Sequence, residues 1–169
     1  KAVHPWPSAQ PSGRTLQVVI PPPPGFQRVA PPSGSFAAWL AGLPMKPDGA
    51  RVQLYTGADK VRQDVHAAVV DIDVGKRDLQ QCADAIMRLR GEWLFAAGRL
   101  RDIAFNDTDG KRLRFSARRA KSYASFRKYM DYVFAYAGTY SLERELKPVA
   151  LADISIGDVF IKGGFPGNA

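Results

Sequence analysis

The only cysteine of this 169-residue chain lies where a helix is predicted to begin. In the segment DLQQCADAIMRLR, residues 78–90, Asp78 is a suitable N-cap and Gln81 follows it at the capping-box spacing. Cys82 then falls in the first helical turn, where the helix dipole and unpaired N–H groups favour a thiolate. This position suits a nucleophile.

A nucleophilic cysteine needs a base, and the chain contains only two histidines, His4 and His66. His4 lies in a proline-rich segment. A regular strand from His66 to Val74 would span roughly 25 Å and would hold this imidazole away from the thiol. On the residues alone, Cys82 is therefore more often a buried apolar residue than a nucleophile, and His66 a hydrogen-bonded structural group. Both interpretations of Cys82 stay open at this point.

Apolar periodicity predicts two long helices in the second half of the chain. The first runs from Asp78 to about Gly98, and Cys82 lies on its apolar stripe. This stripe consists of Leu79, Cys82, Ile86, Leu89, Trp93 and Ala97. The second is capped by Ser122 and ends at Gly138. Shorter helices are predicted in SFAAWLAGLP, with Ser35 as the cap, and in YSLEREL.

Alternating and β-branched segments predict the strands that these helices would pack on. They are LQVVI, ARVQLY (50–55), VHAAVVDIDV (65–74), a hairpin in DIAFNDTDGKRLRF, and a last strand at 159–162. The sequence therefore predicts a single α+β domain over residues 33–169, in which the cysteine-bearing helix packs on an antiparallel sheet. Residues 1–32 hold nine of the thirteen prolines and are predicted to form an extended arm.

The composition excludes several kinds of site. A net charge of +8, densest at residues 110–130, indicates a solvated basic face or attraction to an anionic surface. No nucleic-acid motif accompanies these charges, so nucleic acid is the least favoured partner. No apolar run is long enough to form a transmembrane segment. The set of Cys82 and two histidines offers too few zinc ligands, so we expect neither a metal nor another cofactor.

Three long segments resemble a family of bacterial envelope proteins catalogued as the domain of unknown function 4846 family. They are LYTGADKVRQDVHAAVVDIDVGKRDLQQCADAIMRLRGEWL, SYASFRKYMDYVFAYAGTYSLEREL and IGDVFIKGGFPG. The resemblance covers nearly everything after Pro24. It implies export and names no activity. Because the chain begins with Lys1 rather than Met, we expect a signal peptide to have been removed.

A weaker resemblance connects the chain with papain-like cysteine peptidases of the NlpC/P60 and CHAP types. These enzymes place a cysteine in the first turn of a helix, and a Gly-His pair that opens a later strand supplies the base. Here GGFPGNA has Asn168 at the position of that histidine, and asparagine cannot accept the thiol proton. The segment LRFSARRAKSY is also shorter than the family pattern. We therefore expect the domain to lack its last strands or the sequence to omit residues.

Together these features predict an exported papain-like cysteine peptidase or amidase acting on cell-wall peptide or another amide, with Cys82 as its nucleophile. Gln81 or a nearby backbone N–H would hold the oxyanion. Lys60, Gln63 and His66 would contact substrate. The alternative is a non-catalytic envelope module that binds a partner or glycan, with Cys82 in its core. Either protein would be periplasmic or associated with the outer envelope, and its partner would be cell-wall peptide or another envelope component.

Overall fold

The computed structural model describes residues 4–6 and 13–164, which divide between two compact units, residues 1–78 (unit 1) and 79–169 (unit 2). Helices and one antiparallel strand pair occur together, so the predicted α+β class is confirmed. The division into units differs from the predicted division into an arm at 1–32 and a domain at 33–169. Because compact units are not the same as domains, that division stays a prediction.

Unit 1 is built around a small aromatic core. Its helices are α1 (Leu16–Val19) and α2 (Phe36–Ala41). The predicted cap of α2 is confirmed, since the Ser35 hydroxyl accepts a hydrogen bond from the backbone N–H of Ala38 at 3.1 Å. Trp6 is buried in this core, and its indole N–H donates to the carbonyl oxygen of Asp71 at 2.7 Å. The other buried apolar side chains of unit 1 are Trp39, Ala41, Leu43 and Met45.

The three strands predicted in unit 1 are wrong. LQVVI contains a single helical turn, and the segments 50–55 and 65–74 form only isolated bridges, Gln53 with Asp59 and Met45 with Val70. A strand is stabilised by a continuous ladder on a neighbouring strand, and each of these segments meets its partner at one position only. The alternation of residue types therefore indicated extended backbone, but it did not show whether a neighbouring strand pairs with it.

Unit 2 contains a helical pair, a short hairpin and a third helix. The elements are α3 (Cys82–Ala96), β1 (Ala104–Asn106), β2 (Arg112–Arg114), α4 (Tyr123–Tyr136) and α5 (Thr139–Glu145), with 3₁₀ turns at Phe115–Ala117 and Leu151–Asp153. Helix α3 packs against α4 and α5, and β1 lies against α5. Among the described residues, no helix is both long and apolar enough to cross a membrane.

The predicted hairpin is confirmed, and its turn is stabilised by hydrogen bonds among its own residues. Phe105 pairs with Leu113 at the centre of the antiparallel register. The side chain of Asp107 accepts hydrogen bonds from the backbone N–H groups of Asp109 and Lys111, at 3.1 and 2.8 Å. Gly110 adopts a φ of 85°, a conformation that glycine takes without strain.

The core of unit 2 lies between α3 and α4. Phe126, Met130 and Val133 of α4 are fully buried, and Ser122 caps that helix as predicted through a hydrogen bond from the N–H of Ser125. Gly91 of α3 faces this surface, because a Cβ built there would lie 3.1 Å from the Phe126 ring. The absence of a side chain at this position lets the two helices approach closely.

Three predictions about unit 2 are wrong in whole or in part. The N-cap of α3 is Gln81 rather than Asp78. Of the predicted stripe only Trp93 is buried, and the buried side of the helix otherwise carries Ala83, Met87 and Leu94 among its apolar residues. The rest of the stripe was wrong because α3 buries charged side chains that an apolar pattern assigns to solvent. The last predicted strand, at 159–162, is irregular backbone, and its Phe160 is 85% exposed.

Candidate functional site

Cys82 is the first residue of α3 and is exposed. The helix begins where the N–H of Ala85 donates to the carbonyl oxygen of Gln81 at 3.0 Å. The first N–H groups of a helix lack intrahelical partners and form the positive end of its dipole, which favours an anion such as a thiolate. The interpretation of Cys82 as a core residue is therefore wrong, and its thiol is open to reagents.

A groove of about 340 Å³ lies beside the thiol. Three elements line it: the first turns of α3, the start of α5, and the irregular segment 160–162. The lining residues are Cys82, Ala83, Ile86, Thr139, Phe160, Ile161 and Lys162. The groove thus combines apolar surface with a thiol, a hydroxyl and an ammonium group, and a peptide-sized ligand needs this mixture of surfaces.

Asp84, two residues after Cys82, is a buried carboxylate at the start of α3. One of its oxygens accepts a hydrogen bond from the backbone N–H of Gln81 at 3.0 Å, and the other is buried without a hydrogen-bond partner. Burial raises the pKa of Asp84 to about 6. Because Asp84 engages the backbone N–H of Gln81, the exposed side-chain amide is the donor of Gln81 that is left to hold an oxyanion.

A buried ion pair anchors the same helix. The Arg88 Nε donates to Glu92 Oε1 at 2.5 Å, and both side chains are fully buried. Tyr123 of α4 donates its hydroxyl to the same oxygen at 2.9 Å, and Arg127 lies 3.8 Å from it. A second Arg88 nitrogen donates to the side-chain oxygen of Gln80 at 3.0 Å, just before the Cys82 turn.

Sequence reasoning missed this network. Asp84, Arg88 and Glu92 recur at four-residue spacing and so share one face of α3. That spacing was visible in the sequence, but charged residues in a row on a helix are usually exposed to solvent. The structure buries all three side chains. The buried face of α3 therefore differs from the face that the apolar pattern predicts.

The other predicted substrate-binding residues belong to unit 1. The Gln63 amide pairs with the backbone of Val52, accepting from its N–H and donating to its carbonyl oxygen, each at 2.9 Å. It also donates to the carbonyl oxygen of Lys60 at 2.6 Å. Through these bonds the Gln63 side chain holds the loop between Val52 and Gln63 closed, as backbone bonds between two strands would. The contacts of Gln63 are therefore structural. The Lys60 side chain is exposed.

The two histidines also lie in unit 1. The His66 Nε2 is 3.3 Å from the carbonyl oxygen of Ala50, and its Nδ1 is buried without a hydrogen-bond partner. The His4 ring lies 5.1 and 5.0 Å from the rings of Trp6 and Trp39, and burial lowers its pKa. Residues 79–169 contain no histidine. The predicted position of the base, Asn168, lies outside the described residues.

The predicted site is thus represented in unit 2 by Gln81 and Cys82 and in unit 1 by Lys60, Gln63 and His66. Within the described ranges, no group of three histidine, cysteine or acidic side chains could hold a metal ion.

Comparison with known proteins gives one match. The family model described as "Domain of unknown function (4846)" matches residues 16–118 and 115–169. No curated protein and no solved structure matches the chain.

Proposed function

The chain belongs to the domain of unknown function 4846 family, and from this premise we propose that unit 2 is a papain-like thiol hydrolase of amide bonds. One observation carries the proposal. The exposed thiol of Cys82, at the first residue of α3, shares a groove with residues 160–162, the segment that leads into GGFPG. In a papain-like site the strand that carries the base runs beside the helix of the nucleophile, and this groove supports such an arrangement.

The proposed reaction uses two steps. The Cys82 thiolate attacks the carbonyl carbon of the amide, so a C–S bond forms, and the C–N bond breaks as the amine departs with a proton. Water then cleaves the thioester, which releases the acid and restores the thiol. The side-chain amide of Gln81 or an N–H group of the first turn of α3 would hold the oxyanion in both steps. Cell-wall peptide is the proposed substrate.

The proposed hydrolase needs a base that takes the proton from the Cys82 thiol. Lys162 lines the groove, but an ammonium group has no lone pair with which to accept the thiol proton. The only imidazoles of the sequence belong to unit 1. The papain-like resemblance places the base at the position of Asn168. Activity therefore depends on an imidazole that reaches Cys82.

The first experiment measures how far the thiol is activated. The folded protein is treated with iodoacetamide across pH 6–9, and the gain of one adduct is followed by mass spectrometry. Since Cys82 is the only cysteine, the same chain in denaturant gives the unactivated reference. We expect the folded protein to react faster than the denatured chain near pH 6–7. A folded protein that reacts more slowly at every pH would contradict an activated thiol.

The second experiment supplies the missing base. We expect Asn168→His to raise the hydrolysis of cell-wall peptide fragments above that of the wild type, and the double variant C82S/N168H to lose the gain. Asn168→Gln is the matched control, because it alters the same position without an imidazole. If N168H and C82S/N168H are equally active, the hydrolysis does not use Cys82.

A non-catalytic module is the second candidate, and the absence of histidine from residues 79–169 favours it. In that case the Cys82 groove would bind an envelope peptide or glycan without cleaving it. Binding of cell-wall fragments that Phe160→Ala weakens, with no turnover by N168H, would support this candidate over the hydrolase. Phe160 is suitable because it lines the groove and is exposed.

The cellular location is also a proposal. Export to the periplasm or to the outer envelope rests on the resemblance to envelope proteins. Fractionation of cells that express the complete gene tests it, and recovery in the cytoplasmic fraction alone would contradict it.

A further inference from the structure

A basic surface in unit 2 lies apart from the residues that line the Cys82 groove. The turn between α3 and β1 and the turn between β2 and α4 meet there, joined by a hydrogen bond from the N–H of Phe115 to the carbonyl oxygen of Ile103. Residues of both turns line a shallow cavity of about 660 Å³. The basic surface consists of Arg99, Arg101, Arg118, Arg119 and Lys121, all exposed.

The positive charge of the chain is concentrated in one sequence segment, which contributes Arg118, Arg119 and Lys121 to the basic surface. Residues 110–130 hold eight of the 24 basic residues and none of the 16 acidic ones. The remainder of the chain is therefore balanced, and the whole excess of +8 resides in this segment. Such a concentration produces a local field that attracts phosphate groups.

Several of these cations are held in place before any ligand arrives. The guanidinium of Arg99 lies 5.2 Å from the Trp93 ring and pairs with Asp102 at 2.7 Å. Lys121 donates to the carbonyl oxygen of Ser116 at 2.9 Å and lies over the Phe115 ring. Preorganised cations lose less side-chain entropy when they bind an anion.

Arg101 and Arg119 extend the basic surface as unpaired charges. Neither has an ion-pair partner among the described residues, and both are exposed. A guanidinium presents donors that match the oxygens of a phosphate. These two side chains are therefore the clearest positions for a test.

Exposed tyrosines border the basic surface and favour one kind of partner. Tyr132 and Tyr136 of α4 are 41% and 55% exposed, and their ring centroids are 4.6 Å apart. Arg118 lies over the Tyr132 ring at 5.6 Å. Tyrosines next to basic residues are typical of the interface between water and lipid. The Tyr132 ring already contacts Arg118 and Tyr136, and no nucleic-acid-binding motif accompanies these residues in the sequence.

We propose that the basic surface binds the phosphate headgroups of anionic phospholipids, so that unit 2 lies on an anionic membrane surface. This inference does not depend on the proposed hydrolase activity. It predicts binding to vesicles of phosphatidylcholine mixed with phosphatidylglycerol, and not to vesicles of phosphatidylcholine alone. Added salt should weaken the binding because exposed charges are screened.

Vesicle sedimentation with paired charge reversals tests the proposal. We expect R101E/R119E to bind the mixed vesicles at least roughly tenfold more weakly, since each basic side chain near the surface contributes about 1 kcal/mol. The matched control K76E/K147E changes two exposed lysines elsewhere in the chain and alters the net charge equally. We expect it to keep most of the binding. Circular dichroism and thermal unfolding verify that both variants are folded.

Three outcomes would overturn the proposal. Equal losses in the two double variants would mean general attraction to net charge. Equal binding of the wild type to both kinds of vesicle would mean that the headgroup charge is irrelevant. Retention on a DNA duplex or heparin without vesicle binding, lost in R101E/R119E, would assign the basic surface to a polyanion instead of a membrane.

Discussion

Helix α3 carries two contrasting regions, its buried charged face and its exposed first residue. Asp84, Arg88 and Glu92 are buried at four-residue spacing, while Cys82 is open to solvent. Apolar periodicity places Cys82 on the apolar stripe of the predicted helix and gives no sign that the three charged side chains are buried. The difference shows that hydrogen-bonded and ion-paired charges can form part of the inner face of a helix, and this face sets which residues remain outside.

The buried face also determines how firmly the exposed residue is held. Arg88 reaches the side chain of Gln80, and Asp84 holds the backbone N–H of Gln81. Both contacts fix the chain immediately before Cys82. A reactive group must be positioned within a fraction of an ångström, and a network beneath the first turn supplies that rigidity. The buried charges thus support the candidate site without touching its groove.

Removal of one member of the ion pair should have the largest effect on unit 2. Arg88→Ala leaves the Glu92 carboxylate buried without its main partner, so we expect a loss of about 3–5 kcal/mol in the free energy of unfolding. Glu92→Ala should cost a similar amount because it strands the Arg88 guanidinium. Urea denaturation followed by circular dichroism measures both changes.

The double variant R88M/E92L distinguishes charge from packing. Replacing a buried pair with apolar side chains of similar volume is often neutral or stabilising, so we expect its stability to lie close to that of the wild type. Its Cys82 turn would nevertheless lose the Gln80 contact, and alkylation of the thiol should change in rate. Single variants as stable as the wild type would show that the pair is not buried as described.

A methyl group at Gly91 tests the apolar part of the same helix pair. The Cβ of Gly91→Ala would lie 3.1 Å from the Phe126 ring and 3.2 Å from the Met130 sulfur, both on fully buried side chains. Overpacking of this kind costs about 1–3 kcal/mol, against about 1 kcal/mol gained in helix propensity. We therefore expect a net loss of about 1 kcal/mol by urea denaturation. In an M130A background, where only the Phe126 contact remains, the loss should be smaller, and an equal or larger loss there would contradict steric crowding by Met130.

The folding equilibrium should depend on pH through Asp84. Its pKa is about 6 in the folded chain and 3.8 in the unfolded chain, so the folded state binds more protons between these values. Stability contributed by the protonated form is present below about pH 4 and is lost as the pH rises through 6. We expect a decrease on the order of 1–2 kcal/mol across this window.

Asp84→Asn is the control for this pH dependence. The asparagine oxygen can still accept the hydrogen bond from the N–H of Gln81, but the side chain carries no charge. The decrease in stability between pH 4 and 6 should therefore be smaller in D84N than in the wild type. Identical profiles for the two proteins would assign the titration to another group.

The sequence predicted those parts of the fold that depend on neighbouring residues. The caps Ser35 and Ser122 start α2 and α4 as expected, and the Asp107 turn closes the expected hairpin. Segments 65–74 and 159–162 have equally good residue patterns, but a strand also needs a partner from elsewhere in the chain. No local pattern shows whether that partner exists.

The candidate site, like the fold, was predictable only where it depends on residues close together in the sequence. The location of Cys82 in the first turn of a helix follows from local signals, although the cap is Gln81 instead of Asp78. The groove partners Thr139 and Phe160 lie far away along the chain, and only the fold brings them to the thiol. The exposure of Cys82 depended in turn on the burial of Arg88 and Glu92, and the periodicity of apolar residues does not predict that burial.

Cys82→Ser should have the smallest effect on stability. Substitutions at exposed positions usually change the free energy of unfolding by less than about 0.5 kcal/mol, whereas a hydroxyl introduced into an apolar core costs about 1–3 kcal/mol. The matched comparison is Ala83→Ser, since Ala83 is the next residue of α3 and is buried. We expect urea denaturation to show almost no change for C82S and a clear loss for A83S. A larger loss for C82S than for A83S would mean that the thiol faces the core in solution, and the groove beside it could then not be the site of attack.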